Sequence, residues 1–372
     1  MYQFISLLVL IYFSFDTLPV LYSFVDFWYT VDNTGEGAIR MHLETGRPLS
    51  GEALERLKAF LAENGLRYDP GIQFTALLME DGEIQATGSL DGATLKCIAV
   101  RPSRQGEGLT APLMTALRQE AFARGIRHLM LFTKPGNEAM FREFGFYPIL
   151  RTGDCLLMEN LRDGLRRRLL ELAQGPTPRG TVGAVVANCN PFTLGHRHLI
   201  ETAAAACDRL LVFILSENRG PFTPIERLAM ARAGCADLSN VRVLPTGPYL
   251  ISSATFPDYF IKDRSRVDEV RCEVDVRMFA ERFAPALHIT KRFVGEEPLD
   301  ARTRAYNETL KRELPAYGIE VTEIPRKTAD GEPISASRVR VQIAAGQSDG
   351  LDALVPESTL KILLEKYPNL RK

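Results

Sequence analysis

The spacing of apolar residues predicts different folding patterns in the two halves of the chain. In the first half, Leu54, Leu57 and Leu61 form the apolar face of a helix that begins at Ser50 and ends at Gly65. Short apolar stretches separated by Asp-Gly turns follow, and they predict an antiparallel meander. The predicted strands are 74–79, 83–89 and 94–100, followed by a helix at 109–124, a strand at 128–132 and a short helix ending near residue 145.

Strands alternate with helices through the second half of the chain. The predicted strands are 182–187, 210–215, 241–244, 292–294 and 319–324, and the predicted helices are 196–207, 224–234, 267–283, 302–313 and 337–345. This alternation predicts an α/β fold with a parallel sheet covered by helices on both faces. Ligands of such sheets bind beyond the carboxyl ends of the strands, so we expect the chemistry after Ala187, Leu215 and Val294.

Composition divides the chain into four predicted parts. These are an apolar extension at 1–30, a front domain at 31–160, a linker at 161–180 and a rear domain at 181–372. The linker combines a basic run at 165–169 with a stretch rich in Gly and Pro at 175–180. We interpret the basic run as a solvated helix face rather than a phosphate contact.

The extension contains no Lys or Arg before Arg40. A secretory signal requires a basic start, and Asp16, Pro19 and Asp26 interrupt any continuous membrane span. Three interpretations remain: a membrane anchor, an apolar helix packed on the body, or a non-native start of the reading frame. We favour the last, and we do not expect a membrane partner.

Charge and cysteine content narrow the possible partners. The net charge is −1, so no field of the whole chain attracts nucleic acid or an anionic membrane. The six cysteines form no C-x-x-C pair, which argues against a zinc site and against a disulfide framework. We therefore expect reduced thiols in a cytoplasmic protein, no nucleic-acid partner and no metal-ligating side chains.

A first anion-binding motif lies between a predicted strand and a predicted helix, in the stretch 188–196. Backbone N–H groups and the helix dipole favour anions at such a junction. Gly195 leaves room for a phosphate, and His196 can donate a ring N–H to a phosphate oxygen. The alternative is that Thr193 only caps the helix and His196 lies on its surface. Asn190, Pro191 and Phe192 complete the candidates in this motif.

A second motif lies at another strand-to-helix junction, near the end of the chain. Ile334, Ser335, Ser337 and Arg340 provide two hydroxyls and a cation beside free helical N–H groups. This combination suits the β- and γ-phosphates of a nucleotide, although both serines could simply cap the helix. Because two such motifs occur at predicted junctions of one sheet, we expect them to share one triphosphate.

The two motifs together are similar to T-x-G-H and I-S-x-S-x-x-R of the nucleotidylyltransferase superfamily, whose Rossmann-like domains bind ATP and transfer AMP. The longer stretches 190–197, 251–257 and 292–298 resemble the citrate lyase ligase family, and the resemblance covers about residues 30–370. It implies an ATP-dependent acid–thiol ligase. Such an enzyme activates acetate as acetyl-AMP, releases pyrophosphate, and acetylates the thiol prosthetic group on the acyl carrier subunit of citrate lyase.

The resemblance also implies roles for individual residues. Thr193 and His196 would bind the α-phosphate, while Ser335, Ser337 and Arg340 would hold the leaving pyrophosphate. Mg²⁺ would bridge the phosphates, held mainly by ATP and water, so few protein carboxylates are required. An acetate carboxylate is already ionised, which fits the lack of an obvious general base.

Several further segments are candidates on weaker grounds. The backbone at Gly295 and Glu296 could line the adenosine pocket, and either Lys291 or Arg292 could point at phosphate. The loop 251–257 is suited to enclosing a small acyl group. Arg219 and Arg227 could face substrate, with a structural role as the equal alternative.

The front domain carries a loop of its own at 98–108, which resembles the pyrophosphate loop of GNAT-type N-acetyltransferases. In that family the backbone amides of this loop hold coenzyme A, and Gln105, Gly106 and Gly108 would do so here. Thr110 and Phe141 depart from the family pattern, and a phenyl ring cannot donate a proton. Two interpretations remain: a domain kept for packing, or one that grips the CoA-like arm of the partner.

Three alternative functions differ from the ligase. A plain nucleotidylyltransferase would join AMP to a phosphorylated small molecule and keep a stable product. A protein N-acetyltransferase with an ATP-sensing rear domain would act without ATP, which Phe141 argues against. A non-catalytic regulatory binder would not need both phosphate motifs.

Overall fold

The computed structural model describes residues 27–31, 39–175, 180–216, 220–250, 256–329 and 331–371. Within these ranges the chain forms an eight-stranded sheet, a five-stranded sheet and a small two-stranded sheet. The extension up to residue 26 and the candidate loop residues 251–255 lie outside the described residues, as does Arg219.

The front sheet has the strand order β1-β2-β3-β4-β5-β6-β8-β7. Its strands are β1 Phe27–Val31, β2 Ile39–Gly46, β3 Phe74–Glu80, β4 Glu83–Asp91, β5 Thr94–Val100, β6 Met130–Thr133, β7 Tyr147–Arg151 and β8 Leu156–Glu159. The helices of this half are α1 Gly51–Glu63, α2 Thr110–Ala123 and α3 Glu138–Glu143. The antiparallel meander predicted over β3, β4 and β5 is confirmed. Strand β1 pairs with β2, so this sheet begins before the predicted boundary at residue 31.

One pair of strands in the front sheet is parallel and short. Strands β5 and β6 pair only at Thr94 with Met130 and at Leu95 with Leu131, and their later residues diverge. The divergence opens a groove at the carboxyl ends of both strands.

The rear sheet is parallel throughout and has the order β11-β10-β9-β12-β13. Its strands are β9 Val182–Ala187, β10 Arg209–Ile214, β11 Val241–Pro245, β12 Lys291–Gly295 and β13 Glu320–Ile324, and the small hairpin is β14 Thr328–Ala329 with β15 Glu332–Pro333. The helices are α4 Gly164–Leu172, α5 Leu194–Ala205, α6 Pro224–Gly234, α7 Val267–Met278, α8 Ala284–Leu287, α9 Ala301–Glu313, α10 Ala336–Ala344 and α11 Glu357–Lys366. The predicted alternation is confirmed.

Each face of the rear sheet is buried in a separate core because side chains alternate along a strand. On β12, Phe293 lies in the core that contains Ile200 of α5 and Val339 of α10. Its neighbour Val294 lies in the opposite core, with Phe279. That second core also includes residues of the front sheet, so the two sheets share it.

The predicted linker contains a packed helix. In α4, Leu165, Leu169 and Leu172 are buried in the core shared by the two sheets, while Arg166 and Arg167 are exposed. The amphipathic spacing of the leucines explains why this stretch packs instead of spanning open solvent. Residues 176–179 lie outside the described ranges.

Two local details differ from the predictions. Ser50 is the N-cap residue of α1, as its place at the predicted helix start indicates, but its hydroxyl makes no capping hydrogen bond. The helix predicted at 267–283 continues to Leu287 through a π-helical turn at Phe279–Phe283. No helix within the described ranges is both long and apolar enough to span a bilayer.

Candidate nucleotide site

A cavity of about 750 Å³ opens at the carboxyl ends of β9, β12 and β13. Residues of both predicted phosphate motifs line it, although the motifs lie far apart in the chain, at 188–196 and 334–340. Its lining includes Thr193, Gly195, His196, Gly295, Ile334, Ser335 and Ser337. The parallel sheet explains the convergence, because it brings the N-termini of α5 and α10 to one edge.

Thr193 and His196 hold each other at the start of α5. The Thr193 hydroxyl accepts the N–H of His196 at 3.3 Å, and Nδ1 of His196 accepts the N–H of Thr193 at 3.1 Å. The imidazole also stacks on Phe192, with ring centroids 5.8 Å apart. These contacts fix the ring in one orientation at the cavity wall.

The same contacts define the protonation state of His196. Because a backbone N–H can only donate, Nδ1 is the acceptor and the ring proton is on Nε2. Burial, helped by the nearby positive charge of Arg326, lowers the pKa of His196 to about 4. The ring is therefore a neutral N–H donor at physiological pH, as a phosphate contact requires.

Gly195 brings the two motifs into contact. A Cβ atom at this position would lie 3.0 Å from the backbone oxygen of Ile334 and 3.4 Å from the Thr193 hydroxyl. The missing side chain therefore gives room to the second motif, in addition to any phosphate.

The second motif caps α10 and is tied to the first. The Ser335 hydroxyl accepts the N–H of Arg338 at 3.2 Å, and both Ser335 and Ser337 line the cavity wall. Arg340 donates to the Ser337 hydroxyl at 2.8 Å and to the Asn190 carbonyl at 2.6 Å. This guanidinium bridges the motifs and does not line the cavity.

Four other predicted residues lie outside the cavity lining: Asn190, Pro191, Phe192 and Glu296. Phe192 is fully buried in the core behind the motif, and its ring stacks on that of His196. The Glu296 N–H donates to the carbonyl of Ile324 at the end of β13, and the Glu296 carbonyl accepts from Arg326 after that strand. These residues shape the site from behind.

Arg227 and Lys291 have structural contacts. Arg227 is fully buried and donates to the backbone oxygen of Asn188 at 2.9 Å, which supports the loop after β9. Lys291 forms an ion pair with Glu320 at 3.6 Å. Arg292, in contrast, lines the cavity.

The front domain has a separate groove of about 400 Å³ where β5 and β6 diverge. Gln105, Gly106, Gly108 and Phe141 all line it, as do two residues of the rear half, Tyr259 and Phe260. The buried Tyr259 hydroxyl donates to the Phe132 carbonyl at 3.2 Å. The rear half of the chain therefore forms part of the wall of this groove.

Comparison with known proteins identifies both halves. A family model described as the citrate lyase ligase C-terminal domain matches residues 182–363. A citrate (pro-3S)-lyase ligase of Klebsiella pneumoniae is 42% identical over 319 residues, which cover 84% of this chain and 92% of that protein. The chain belongs to the citrate lyase ligase family. The protein of the same name from Escherichia coli strain K12 is 38% identical over 316 residues, which cover 83% of this chain and 90% of that protein.

The front half matches a second family model, that of the GNAT acetyltransferases, over residues 38–146. A solved acyl-CoA N-acyltransferase from Pseudomonas aeruginosa aligns with 33% of this chain and 99% of its own length, at 16% identity and a TM-score of 0.29. The two family models confirm the expected order: a GNAT-like domain precedes the parallel-sheet domain.

Motif reasoning within the family missed part of the cavity wall. Arg326 follows β13 and donates to the Glu296 carbonyl at 3.0 Å and to the carboxylate of Glu297. Asp300 caps α9 through the N–H of Arg302 at 2.9 Å. The sequence signal for Arg326 is its place two residues after the predicted strand 319–324, at the carboxyl edge of the sheet.

Proposed function

We propose that this chain is an AMP-forming acid–thiol ligase that acetylates the thiol prosthetic group on the acyl carrier subunit of citrate lyase. The observation that carries the proposal is the convergence of the α5 and α10 N-termini on one cavity. The names of the related proteins support citrate lyase as the target.

In the first step, a carboxylate oxygen of acetate attacks the α-phosphorus of ATP. The bond from the α-phosphorus to the bridging oxygen breaks, and pyrophosphate leaves with that electron pair. The Nε2–H of His196 is suited to donate to an α-phosphate oxygen, since Thr193 fixes the opposite ring nitrogen. Donors held in place before reaction stabilise developing charge without reorganisation.

The leaving pyrophosphate gathers negative charge, and the α10 N-terminus is suited to receive it. The first N–H groups of a helix have no partner within the helix, and its dipole is positive at this end. Ser335 orients the turn, and Ser337 adds a hydroxyl that Arg340 polarises from behind. In the second step the carrier thiolate attacks the acetyl carbon, AMP leaves, and the thiol proton passes to solvent.

Mg²⁺ fits this site as an ion held mainly by ATP. The cavity carboxylates are already engaged, because Glu297 accepts from Arg326 and Asp300 caps α9. Within the described ranges no cluster of three or more metal-binding side chains occurs. When bound, the ion would neutralise charge on the phosphates.

We propose that the front groove binds the CoA-like arm of the acyl carrier subunit. Gly106 and Gly108 have positive φ angles of 90° and 76°, and a Cβ atom at either would meet no neighbour within 4 Å. Their backbone is therefore accessible to a pyrophosphate group of the arm. Phe141 provides no acid for amine acetylation, which favours holding over catalysis. The free thiols of all six cysteines support a cytoplasmic location.

The test is release of pyrophosphate from ATP and acetate, with and without the acyl carrier subunit. We expect acetate-dependent release that falls about 10²- to 10³-fold in His196→Ala, the usual effect of removing an oriented donor. Ser337→Ala should fall about tenfold, the value of one hydrogen bond to a charged group. His198→Ala is the matched control, because this residue is on α5 but outside the cavity lining.

Two outcomes would change the assignment. Full turnover in His196→Ala would mean that the site is misplaced. A stable adenylylated product, in place of free AMP after addition of the carrier thiol, would favour a plain nucleotidylyltransferase.

A further inference from the structure

Arg292 is a buried cation in the wall of the nucleotide cavity. It is 3% exposed, and its Nε and Nη1 atoms have no hydrogen-bond partner in the described part of the chain. Its guanidinium carbon lies 4.6 Å from the centroid of the Phe279 ring. The phosphate motifs do not account for this residue.

The position of Arg292 on β12 determines its direction of approach. Residues two apart on a strand share a face, so Arg292 is on the face of Val294 and opposite to Phe293. The helices α5 and α10 pack on the Phe293 face, whereas Phe279 and Val294 belong to the other core. Arg292 therefore reaches the cavity from the side opposite the helices that carry the phosphate motifs.

Burial of a guanidinium whose N–H groups lack partners costs free energy. Arginine does not lose its proton in proteins, so the charge cannot be relieved by neutralisation. A ring beneath the cation recovers part of the lost hydration, and an unpaired buried charge still needs an anion.

Three described carboxylates, one on α7 and two in the cavity wall, have hydrogen-bond partners other than Arg292. Asp275 accepts a hydrogen bond from the Tyr306 hydroxyl, Glu297 contacts Arg326, and Asp300 caps α9. Within the described ranges no ion pair to Arg292 occurs. Among the described residues no anion completes this cation, and the cavity that Arg292 lines can admit one from solution.

We propose that Arg292 binds the carboxylate of the acyl substrate and that the recess beside it selects small monocarboxylates. The cavity wall near Arg292 includes Val186 and Val294, which suit a methyl group. Phosphates belong at the helix N-termini on the other face, so a carboxylate held here lies across from them. A guanidinium can donate two parallel N–H bonds to one carboxylate, which would direct an oxygen toward the α-phosphorus. This inference rests on the proposed ligase function.

The test compares Arg292→Gln with wild type in acetate-dependent exchange of pyrophosphate into ATP. We expect the KM for acetate to rise about 10- to 100-fold, while the KM for ATP changes less than about twofold. Arg292→Lys should recover part of the loss because it restores the charge without the planar donor pair. The control is Lys291→Gln, whose side chain is paired with Glu320 on the surface and should leave both constants unchanged.

A second readout separates binding from structure. Without substrates, Arg292→Gln should melt no lower than wild type, since it removes a buried unpaired charge. Acetate should raise the Tm of the ATP-loaded wild type and leave that of Arg292→Gln unchanged. A lower Tm of the substrate-free variant with both KM values unchanged would make the residue structural, and an equal rise of both KM values would make it a phosphate ligand.

The two proposals fail in different ways. If acetate does not stabilise the wild type, the assignment of Arg292 is overturned. If acetate stabilises the wild type through Arg292 but no exchange occurs, the carboxylate site stands and the ligase reaction is overturned.

Discussion

At the scale of single residues, the decisive feature is the tautomer of His196. A histidine on a surface helix would exchange between two neutral forms and titrate near neutrality. Here the Thr193 N–H occupies Nδ1, so Nε2 carries the proton toward the cavity. The imidazole works as a fixed donor and not as an acid or base.

This feature predicts the pH profile of adenylate formation. The pKa of His196 in the folded protein is lowered to about 4, below its ordinary value of about 6.5. The neutral donor therefore persists as pH falls through 6.5, and pyrophosphate exchange should show no histidine limb between pH 5.5 and 8. The exchange reaction is measured without carrier thiol, so that thiol ionisation does not contribute. A fall centred near pH 6.5 would contradict the assigned tautomer.

The lowered pKa of His196 also makes the stability of the fold depend on pH. Below pH 6.5 the unfolded chain takes up a proton at this position before the folded chain does, so the contribution of His196 to stability falls from pH 6.5 toward 4. His196→Gln should remove this part of the pH dependence in chemical unfolding. The sequence could identify His196 as a candidate, but its protonation state depends on a backbone contact that no residue pattern records.

At the scale of elements, the close approach of α5 and α10 depends on Gly195. Gly195→Ala would place a Cβ atom 3.0 Å from the Ile334 oxygen, and relaxation is limited because this oxygen belongs to the backbone. We expect a loss of about 1–3 kcal/mol in the free energy of unfolding and weaker ATP binding. Gly153→Ala is the control, since a Cβ atom there has no neighbour within 4 Å. Equal effects of the two substitutions would contradict this account.

The elements themselves were largely predictable from sequence. Turn residues and alternating apolar positions fixed β3, β4 and β5 to within two residues, and the alternation of strands and helices gave the parallel sheet. The positions of Asn190 and Arg340 behind the cavity were not predictable, because both are set by contacts between distant segments. Arg326 and Arg292 show the same limit: their roles follow from which strands are neighbours.

At the scale of the whole molecule, the two sheets share one core. Glu159 of the front sheet is 1% exposed and accepts hydrogen bonds from the Tyr249 hydroxyl at 2.8 Å and from the Leu165 N–H at 2.8 Å. Leucines of α4 fill the space between the sheets. The predicted linker is thus part of the interface.

This shared core predicts joint unfolding of the two halves. Tyr249→Phe should lower the free energy of unfolding by about 1–3 kcal/mol, because a buried carboxylate loses a donor. The measurement is thermal unfolding, followed by circular dichroism and by ATP protection, and both signals should move together. Tyr317→Phe, at an exposed tyrosine, is the control. Separate transitions for the two halves would contradict a common core.

The bridge made by Arg340 has a consequence for how the site tolerates change. One side chain contacts a carbonyl that is 150 positions away in sequence and a hydroxyl only three positions away. A substitution that disturbs the N-terminus of α5 or of α10 is therefore expected to disturb the other as well. The free-energy effects of two substitutions, one in each motif, will not simply add. The two phosphate motifs, although separate in sequence, therefore form one energetically coupled unit.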